Sequence, residues 1–163
     1  AACIFSFNSK MLTILYLVIV PAILAQVPTG CVTFQNVSTG KFLTSTNISQ
    51  ANLRMARESE TKARWKIEKF DENFKIQNSQ FKEYLVVSKR PLHSERSIYT
   101  ASPGTAEANT LDKWKIEKKD GQSFTISNEK YPGCLFVGAF GNAHSREGRY
   151  CTGELYQWNI EKC

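Results

Sequence analysis

The sequence predicts an all-β fold built from three similar repeats. All three tryptophans open the same short motif, in which large apolar residues alternate with polar ones: Trp65–Lys69, Trp114–Lys118 and, with one residue changed, Trp158–Lys162. A period of two is typical of a strand with one buried and one solvated face. The residues expected in the core are Trp65, Trp114, Trp158, Ile67, Ile116 and Ile160.

Two further sets of segments recur in the same phase. The Trp motifs start at positions 65, 114 and 158, which are 49 and 44 residues apart, and a regular period of this length marks a structural repeat. Alternating segments that end in Asn form the second set: 32–36, 74–78 and 124–128. A third strand follows each after a short turn, at 41–43, 83–87 and 134–137. We therefore expect four strands in each repeat, with repeats over about 31–72, 73–120 and 121–163.

The N-terminal residues have the form of a secretory signal. Residues 1–10 precede a methionine without strand or helix pattern, and we interpret them as an upstream, non-native segment. The apolar run from Met11 to Leu24 is short for a membrane span and ends beside the small residue Ala25, as signal peptides do. An N-terminal anchor is the alternative. We expect a signal peptide at 11–25 and a single secreted domain at 26–163.

Four cysteines remain after the predicted cleavage, because Cys3 is removed with the leader. An even number in an oxidising compartment predicts disulfides, and four cysteines allow three pairings. Cys31 begins the first strand and Cys163 ends the last, so a closed barrel would bring them together. Cys134 and Cys151 lie within one repeat. We predict the pairs Cys31–Cys163 and Cys134–Cys151.

The chain is moderately basic. It has 21 Lys and Arg, of which Lys10 precedes the predicted cleavage site, against 15 Asp and Glu, so the mature net charge is +5. Such a charge favours encounters with anionic partners but gives no specificity. One cluster, Arg54, Arg57, Lys62 and Arg64, surrounds the entry to the first Trp strand. The stronger candidate for an anion or partner site is the cluster Lys89, Arg90, His93 and Arg96, with an ordinary solvated surface as the alternative.

Two segments have the acceptor sequence for an N-linked glycan, Asn36-Val37-Ser38 and Asn47-Ile48-Ser49. Asn36 also occupies the turn position that the repeats share with Asn78 and Asn128, so turn chemistry competes with glycosylation there. Asn47 follows a strand in a polar stretch and is the better acceptor.

Catalytic and metal-binding patterns are missing from the sequence. It contains no nucleophile elbow, phosphate loop or pair of metal ligands at helical spacing. His93 and His144 are isolated in polar segments, and the cysteine spacing lacks the close pairs of a zinc site. Turn positions explain three acidic residues, Asp71, Asp112 and Asp120. We therefore expect no enzyme, no catalytic or metal-binding residues and no cofactor.

Three repeats of this length resemble the β-trefoil, a six-stranded barrel capped by three hairpins. Each repeat has a short hairpin segment, such as Gly40–Leu43 or Glu83–Leu85, and a closing Trp strand. The resemblance extends from Cys31 to Cys163 and implies that the tryptophans fill the barrel. Trefoils include lectins, growth factors and protease inhibitors, so the fold alone does not give the function.

The known functional motifs of trefoils match only in part. Ricin-type lectins carry Gln-x-Trp in each repeat, whereas Gln157 directly precedes Trp158 here, so a ricin-like galactose site is not expected. Kunitz-type inhibitors present one reactive loop, and only Ser88–Pro91 offers basic residues for it; Pro91 would hinder a trypsin-like cut after Arg90. Growth factors of this fold bind heparin, which the loop from Lys89 to Arg96 resembles.

The chain also resembles small secreted salivary trefoils of blood-feeding flies, which are rich in cysteine and tryptophan. This resemblance rests on size, the leader, the cysteines, the tryptophans and the basic character. It implies a monomeric, non-enzymatic effector that dilates host vessels or otherwise opposes haemostasis. The expected partner is a host receptor, matrix component or glycan, with no nucleic acid and no stable membrane insertion. A heparin- or carbohydrate-binding trefoil and a Kunitz-type serine-protease inhibitor are the alternatives.

Overall fold

A computed structural model describes residues 26–147 and 151–163, except for the side chain of Glu147. The upstream segment, the predicted signal peptide and Cys3 lie outside the described residues. The strands are β1 (Gly30–Asn36), β2 (Phe42–Ser45), β3 (Leu53–Ser59), β4 (Trp65–Phe70), β5 (Asn73–Asn78), β6 (Tyr84–Val87), β7 (Glu95–Ala101), β8 (Lys113–Lys118), β9 (Ser123–Asn128), β10 (Gly133–Val137), β11 (Ala143–Glu147) and β12 (Trp158–Lys162). Within these residues, no helix has the length and apolar character needed to cross a membrane.

Six strands close into a barrel. Going around it, β1 pairs with β4, β4 with β5, β5 with β8, β8 with β9, β9 with β12 and β12 with β1, all antiparallel. These are the first and fourth strands of each repeat, and their inward residues alternate with outward ones. The chain therefore folds as a β-trefoil, which confirms the fold predicted from the repeat.

The other six strands form three hairpins, β2–β3, β6–β7 and β10–β11, which we call the hairpin cap. The start of β3 pairs with the end of β7, and the start of β7 pairs with β11. A bridge between Arg57 of β3 and Asn142 completes the ring. Each hairpin thus contacts the next, through three residue pairs at two junctions and one bridge at the third, and the cap has approximate threefold symmetry.

Each tryptophan links a barrel strand to a hairpin strand of its own repeat. The three indole rings are fully buried. Their Nε1–H groups donate to equivalent leucine carbonyl oxygens at 2.9, 2.9 and 3.0 Å, in the pairs Trp65–Leu43, Trp114–Leu85 and Trp158–Leu135. The repeated motif therefore supplies both the apolar filling of the barrel and the polar contact that holds the cap on it.

The equivalent asparagines shape the turns between the first and second strands of the repeats. Oδ1 of Asn36 accepts hydrogen bonds from the amides of Ser38 and Thr39, and Asn78 and Asn128 make the same pair of bonds two and three residues ahead. Such bonds satisfy backbone groups that have no strand partner. All three side chains are buried.

The disulfides join Cys31 to Cys163 and Cys134 to Cys151, the two pairs that the repeat predicts. The first connects the ends of the barrel, where the amide of Cys163 also donates to the carbonyl of Cys31 at 3.1 Å. The second ties β10 to the segment before a short 3₁₀ turn, Glu154–Tyr156. The described chain is thus closed both at its termini and within the third repeat.

Two features differ from the sequence interpretation. Between β7 and β8 lies a short helix, α1 (Ala106–Thr110), whose N-cap Thr105 accepts from the amide of Ala108 at 3.2 Å. The interpretation of Asp112 as a turn residue was wrong. Its carboxylate is fully buried, with Oδ2 2.8 Å from Lys75 Nζ. An opposite charge compensates a buried carboxylate. Asp112 therefore forms a buried ion pair with Lys75 and does not cap a turn.

Replacing a motif tryptophan by phenylalanine tests the link between barrel and cap. The change Trp114→Phe leaves the buried carbonyl of Leu85 without its donor and opens a small cavity. We expect the unfolding free energy in urea, followed by circular dichroism, to fall by about 2–4 kcal/mol. Trp65→Phe and Trp158→Phe are expected to cost similar amounts because their contacts are equivalent. Unchanged stability in all three variants would contradict this role.

The two disulfides are expected to stabilise the fold unequally. Cys31–Cys163 closes a separation of 132 residues and Cys134–Cys151 one of 17. From the entropy of loop closure, we expect these disulfides to contribute about 5 and about 3 kcal/mol to the free energy of unfolding. Paired Cys→Ala variants, compared by urea denaturation, should show the larger loss when the terminal bond is removed. An equal or reversed order would contradict the entropic account.

Candidate functional site

A surface groove lies between the first and third hairpins of the cap. It has a volume of about 850 Å³ and is lined by residues from β2, β3 and the connections 46–52 and 138–142. Lys41, Thr44 and Glu58 line this groove, and so do the exposed residues Ile48 and Phe140. Charged, hydroxyl and aromatic side chains thus line one open and mainly polar surface.

The third hairpin turn approaches the first hairpin closely. The carbonyl of Gly141 accepts a hydrogen bond from the amide of Glu58 at 2.8 Å. Gly141 has φ +75°, and a Cβ atom there would lie 3.4 Å from the Glu58 carboxylate. That distance is an ordinary van der Waals contact, so it is the left-handed backbone of this turn that favours glycine.

The charges of the groove are partly compensated. Lys41 Nζ lies 3.9 Å from Glu58 Oε1 and 3.5 Å from Glu60 Oε1. The other oxygen of Glu58, Oε2, is buried and has no hydrogen-bond partner among the residues the structure describes. A buried carboxylate oxygen without a partner is costly, and the nearby ammonium of Lys41 partly compensates the charge of this carboxylate.

The cationic cluster predicted at Lys89, Arg90, His93 and Arg96 lies on the second hairpin. Arg90 and His93 are exposed on the connection 88–94. Lys89 Nζ lies 3.2 Å from Glu107 Oε1 at the start of α1. The pKa of the Glu107 carboxyl is lowered, first by a hydrogen bond from its own backbone amide and then by the one from Lys89.

Arg96 differs from the other members of that cluster. It is buried, its Nη1 donates to the carbonyls of Ser88 and Lys89 at 3.3 and 2.6 Å, and its guanidinium lies 3.9 Å from the Tyr131 ring centroid. These contacts fix the base of the connection. An anion meeting this loop would therefore meet Lys89, Arg90 and His93.

The other cluster is also divided. Arg54 Nε donates to Glu83 Oε1 at 3.1 Å, and Glu83 Oε2 accepts from Thr100 at 2.6 Å in a largely buried network. Arg57, Lys62 and Arg64 are exposed. Arg54 thus stabilises the contact between the first and second hairpins, while the other three remain at the surface.

The structure separates the two histidines. His93 is on the second hairpin, and His144 is in β11 with Nδ1 3.9 Å from Glu95 Oε2. Among residues 26–147 and 151–163, no three His, Cys, Asp or Glu side chains are grouped as metal ligands would be.

The two glycan acceptors have opposite environments. Asn36 is fully buried, and its Nδ2 donates to the carbonyls of Leu155 and Gln157 at 3.0 and 3.4 Å. These contacts leave no space for a glycan at Asn36 in the folded chain. Asn47 is exposed at the groove.

Sequence reasoning did not identify Glu58 and Phe140 as residues of one site. A signal for Phe140 was present, since an aromatic residue in the turn Gly138-Ala139-Phe140-Gly141 has no inward strand phase. Glu58 carried no such signal, because its position depends on pairing between distant hairpins.

Comparison with known proteins agrees with this architecture. Residues 20–100 match the family model described as ricin-type beta-trefoil lectin domain-like. The chain is similar to a mosquito salivary protein. That protein, from Culex quinquefasciatus, belongs to the cysteine and tryptophan-rich (CWRC) family; the likeness has 28% identity and a TM-score of 0.76 and covers 85% of this chain and 97% of the mosquito chain.

Two more distant structures share the fold alone. The ricin B-like lectin of Macrolepiota procera, solved with lactose, has 13% identity and a TM-score of 0.65, over 85% of this chain and 99% of the lectin. The designed threefold-symmetric protein ThreeFoil has 14% identity and a TM-score of 0.70, over 82% and 99%. No curated protein sequence gives a significant match.

When insect cells secrete this protein, we expect it to carry a glycan at Asn47 and none at Asn36. Ser49→Ala removes the acceptor sequence of Asn47, and Ser38→Ala is the matched change for Asn36; both serines are exposed. In protein secreted by insect cells, intact mass spectrometry should show loss of the glycan only in Ser49→Ala. A loss of mass in Ser38→Ala would contradict the burial argument.

Proposed function

We propose that this chain is a secreted, non-enzymatic salivary protein that binds a host target and promotes blood feeding. The observation that carries the proposal is the 28% identity to the Culex salivary protein across nearly the whole of both folded chains. The two disulfides support it, because such bonds form in oxidising compartments. The open groove and the exposed hairpin connections offer binding surface.

Vasodilation is the specific effect that we propose. The chain resembles the black-fly erythema protein, a salivary vasodilator, in its length from Met11, its apolar leader and its basic character. The target would then be a host receptor or matrix component that meets the hairpin cap. The barrel is unsuited to this role because its interior is filled by tryptophan and isoleucine side chains.

Relaxation of precontracted vessel rings tests this proposal. The disulfide-bonded protein is expected to relax the rings in a dose-dependent way below micromolar concentration, and reduced, alkylated protein serves as the unfolded control. Platelet aggregation and clotting times measured on the same sample cover the wider anti-haemostatic role. The absence of any effect on vessel tension, platelet aggregation and clotting time would overturn the proposal.

Binding to an anionic or neutral glycan is the second candidate. The groove with Glu58 and Phe140 and the match to a ricin-type lectin family model favour it, as do the exposed cations Lys89 and Arg90. A protease-inhibitor role for Ser88–Pro91 has less support, because Ser88 Oγ hydrogen-bonds within that segment, to the carbonyl and amide of Arg90, as in an ordinary turn.

Heparin chromatography separates the glycan candidate from simple cation exchange. The variant Lys89→Gln/Arg90→Gln and its matched control Lys115→Gln/Lys118→Gln lose the same charge from different faces. A specific site predicts that only the hairpin variant elutes at clearly lower salt, since counterion release depends on the contacts made. Equal shifts in the two variants would argue for nonspecific attraction.

A further inference from the structure

The exposed apolar residues of the hairpin cap have an unusual distribution. Among the described residues, four large hydrophobic side chains are exposed. Three lie in the three hairpin connections: Ile48 in 46–52, Leu92 in 88–94 and Phe140 in 138–142, with exposed fractions of 73%, 70% and 90%. Single exposed hydrophobics are normal on protein surfaces. An exposed large hydrophobic residue in each of the three hairpin connections is not explained in this way.

The geometry of the cap places these corners around one axis. Each hairpin pairs with the next through equivalent strand segments, so the three connections are related by the approximate threefold symmetry. Points related by a threefold axis lie in a plane perpendicular to it. The three connections therefore lie at about the same height along that axis.

The connections are also built to hold these residues outward. In the second, the amides and carbonyls of Leu92 and Glu95 bond reciprocally at 2.7 and 3.0 Å, and His93 and Ser94 have positive φ. In the first, Gln50 and Leu53 form the same turn, and Ile48 precedes it, with its carbonyl accepting from Thr46 Oγ1 at 3.0 Å. In the third, Gly138 and Asn142 close a short turn below Phe140. Defined turns lower the entropy lost when exposed side chains bind.

Exposed cations accompany the apolar tips. Arg90 and Lys89, the latter paired with Glu107, precede Leu92 in the second connection, and Arg57 forms the bridge to Asn142 beside the Phe140 turn. Apolar side chains that enter the acyl boundary while cations meet anionic headgroups are the usual combination at a membrane surface. Ile48 and Phe140 line one groove, whereas Leu92 lies on the second hairpin connection beside Lys89 and Arg90.

We propose that the hairpin cap is a peripheral docking surface for an anionic lipid bilayer, with Ile48, Leu92 and Phe140 inserting at its headgroup boundary. The proposal is independent of any host target, because lipid alone is sufficient for binding. It involves shallow adsorption by side chains and no spanning segment.

Vesicle binding tests the proposal directly. The disulfide-bonded protein is sedimented with vesicles of phosphatidylcholine containing about one quarter phosphatidylserine. It is used both as secreted by insect cells, with any glycan at Asn47 in place, and as the Asn47→Gln variant, and both forms are expected to bind. Each change Ile48→Ser, Leu92→Ser or Phe140→Ser should lower partitioning by about tenfold, and the triple variant by at least about a hundredfold. Arg90→Gln should lower it by about fivefold.

The fourth exposed hydrophobic residue supplies the matched control. Phe70 is 39% exposed at the end of β4, away from the hairpin connections, and Phe70→Ser should bind vesicles like the parent protein. Phe140→Trp adds a reporter: the three native tryptophans are buried in the barrel, so a blue shift of emission with vesicles would come from position 140. Circular dichroism verifies that each variant is folded.

Three outcomes would overturn the proposal. They are no binding to anionic vesicles, binding that the triple serine variant retains, and equal losses in Phe70→Ser and the tip variants. If vessel relaxation depends on the tips while vesicle binding is absent, the cap docks on a protein and the lipid proposal fails. Conversely, vesicle binding without relaxation of vessel rings would support lipid docking and contradict the vasodilator proposal.

Discussion

The hydrogen bond from each tryptophan Nε1–H to a leucine carbonyl is the contact on which the rest of this trefoil depends. A barrel strand supplies the donor and a hairpin strand supplies the acceptor, at nearly the same distance in all three repeats. An indole ring is large enough to fill the barrel, and its polar edge satisfies a carbonyl that burial would otherwise leave unpaired. The cap and barrel therefore form one unit, and the repeat of the motif produces the symmetry.

Outside that shared frame the three repeats differ. The buried Asp112–Lys75 pair belongs to the second repeat, and the network of Arg54, Glu83 and Thr100 joins only the first two hairpins. The groove with Glu58 and Phe140 joins the first and third. A symmetric core thus carries asymmetric surfaces, and the repeats differ most in the contacts that their hairpins make.

The sequence predicts the frame much better than the surface. The strands and the core tryptophans follow from local alternation, and the disulfide pairs follow from the repeat. The turns at Ala51-Asn52 and His93-Ser94 adopt positive φ without glycine, so they carry no hairpin signal of the usual Asn-Gly kind. The groove and the buried charge of Asp112 depend on pairing between distant segments, which local patterns cannot specify.

Each hairpin connection is held to the frame by a different contact. The third is held by the hydrogen bond from the Glu58 amide to the carbonyl of Gly141. The second is fixed by Arg96 on backbone carbonyls and by the Lys89–Glu107 pair. In the first, Arg54 donates to the carbonyl of Asn47 at 2.5 Å. Because the anchors lie below the exposed side chains, the tips can change in sequence without loss of the core. Because the anchoring contacts and the exposed side chains are different residues, the exposed ones can be replaced while the connections keep their conformation.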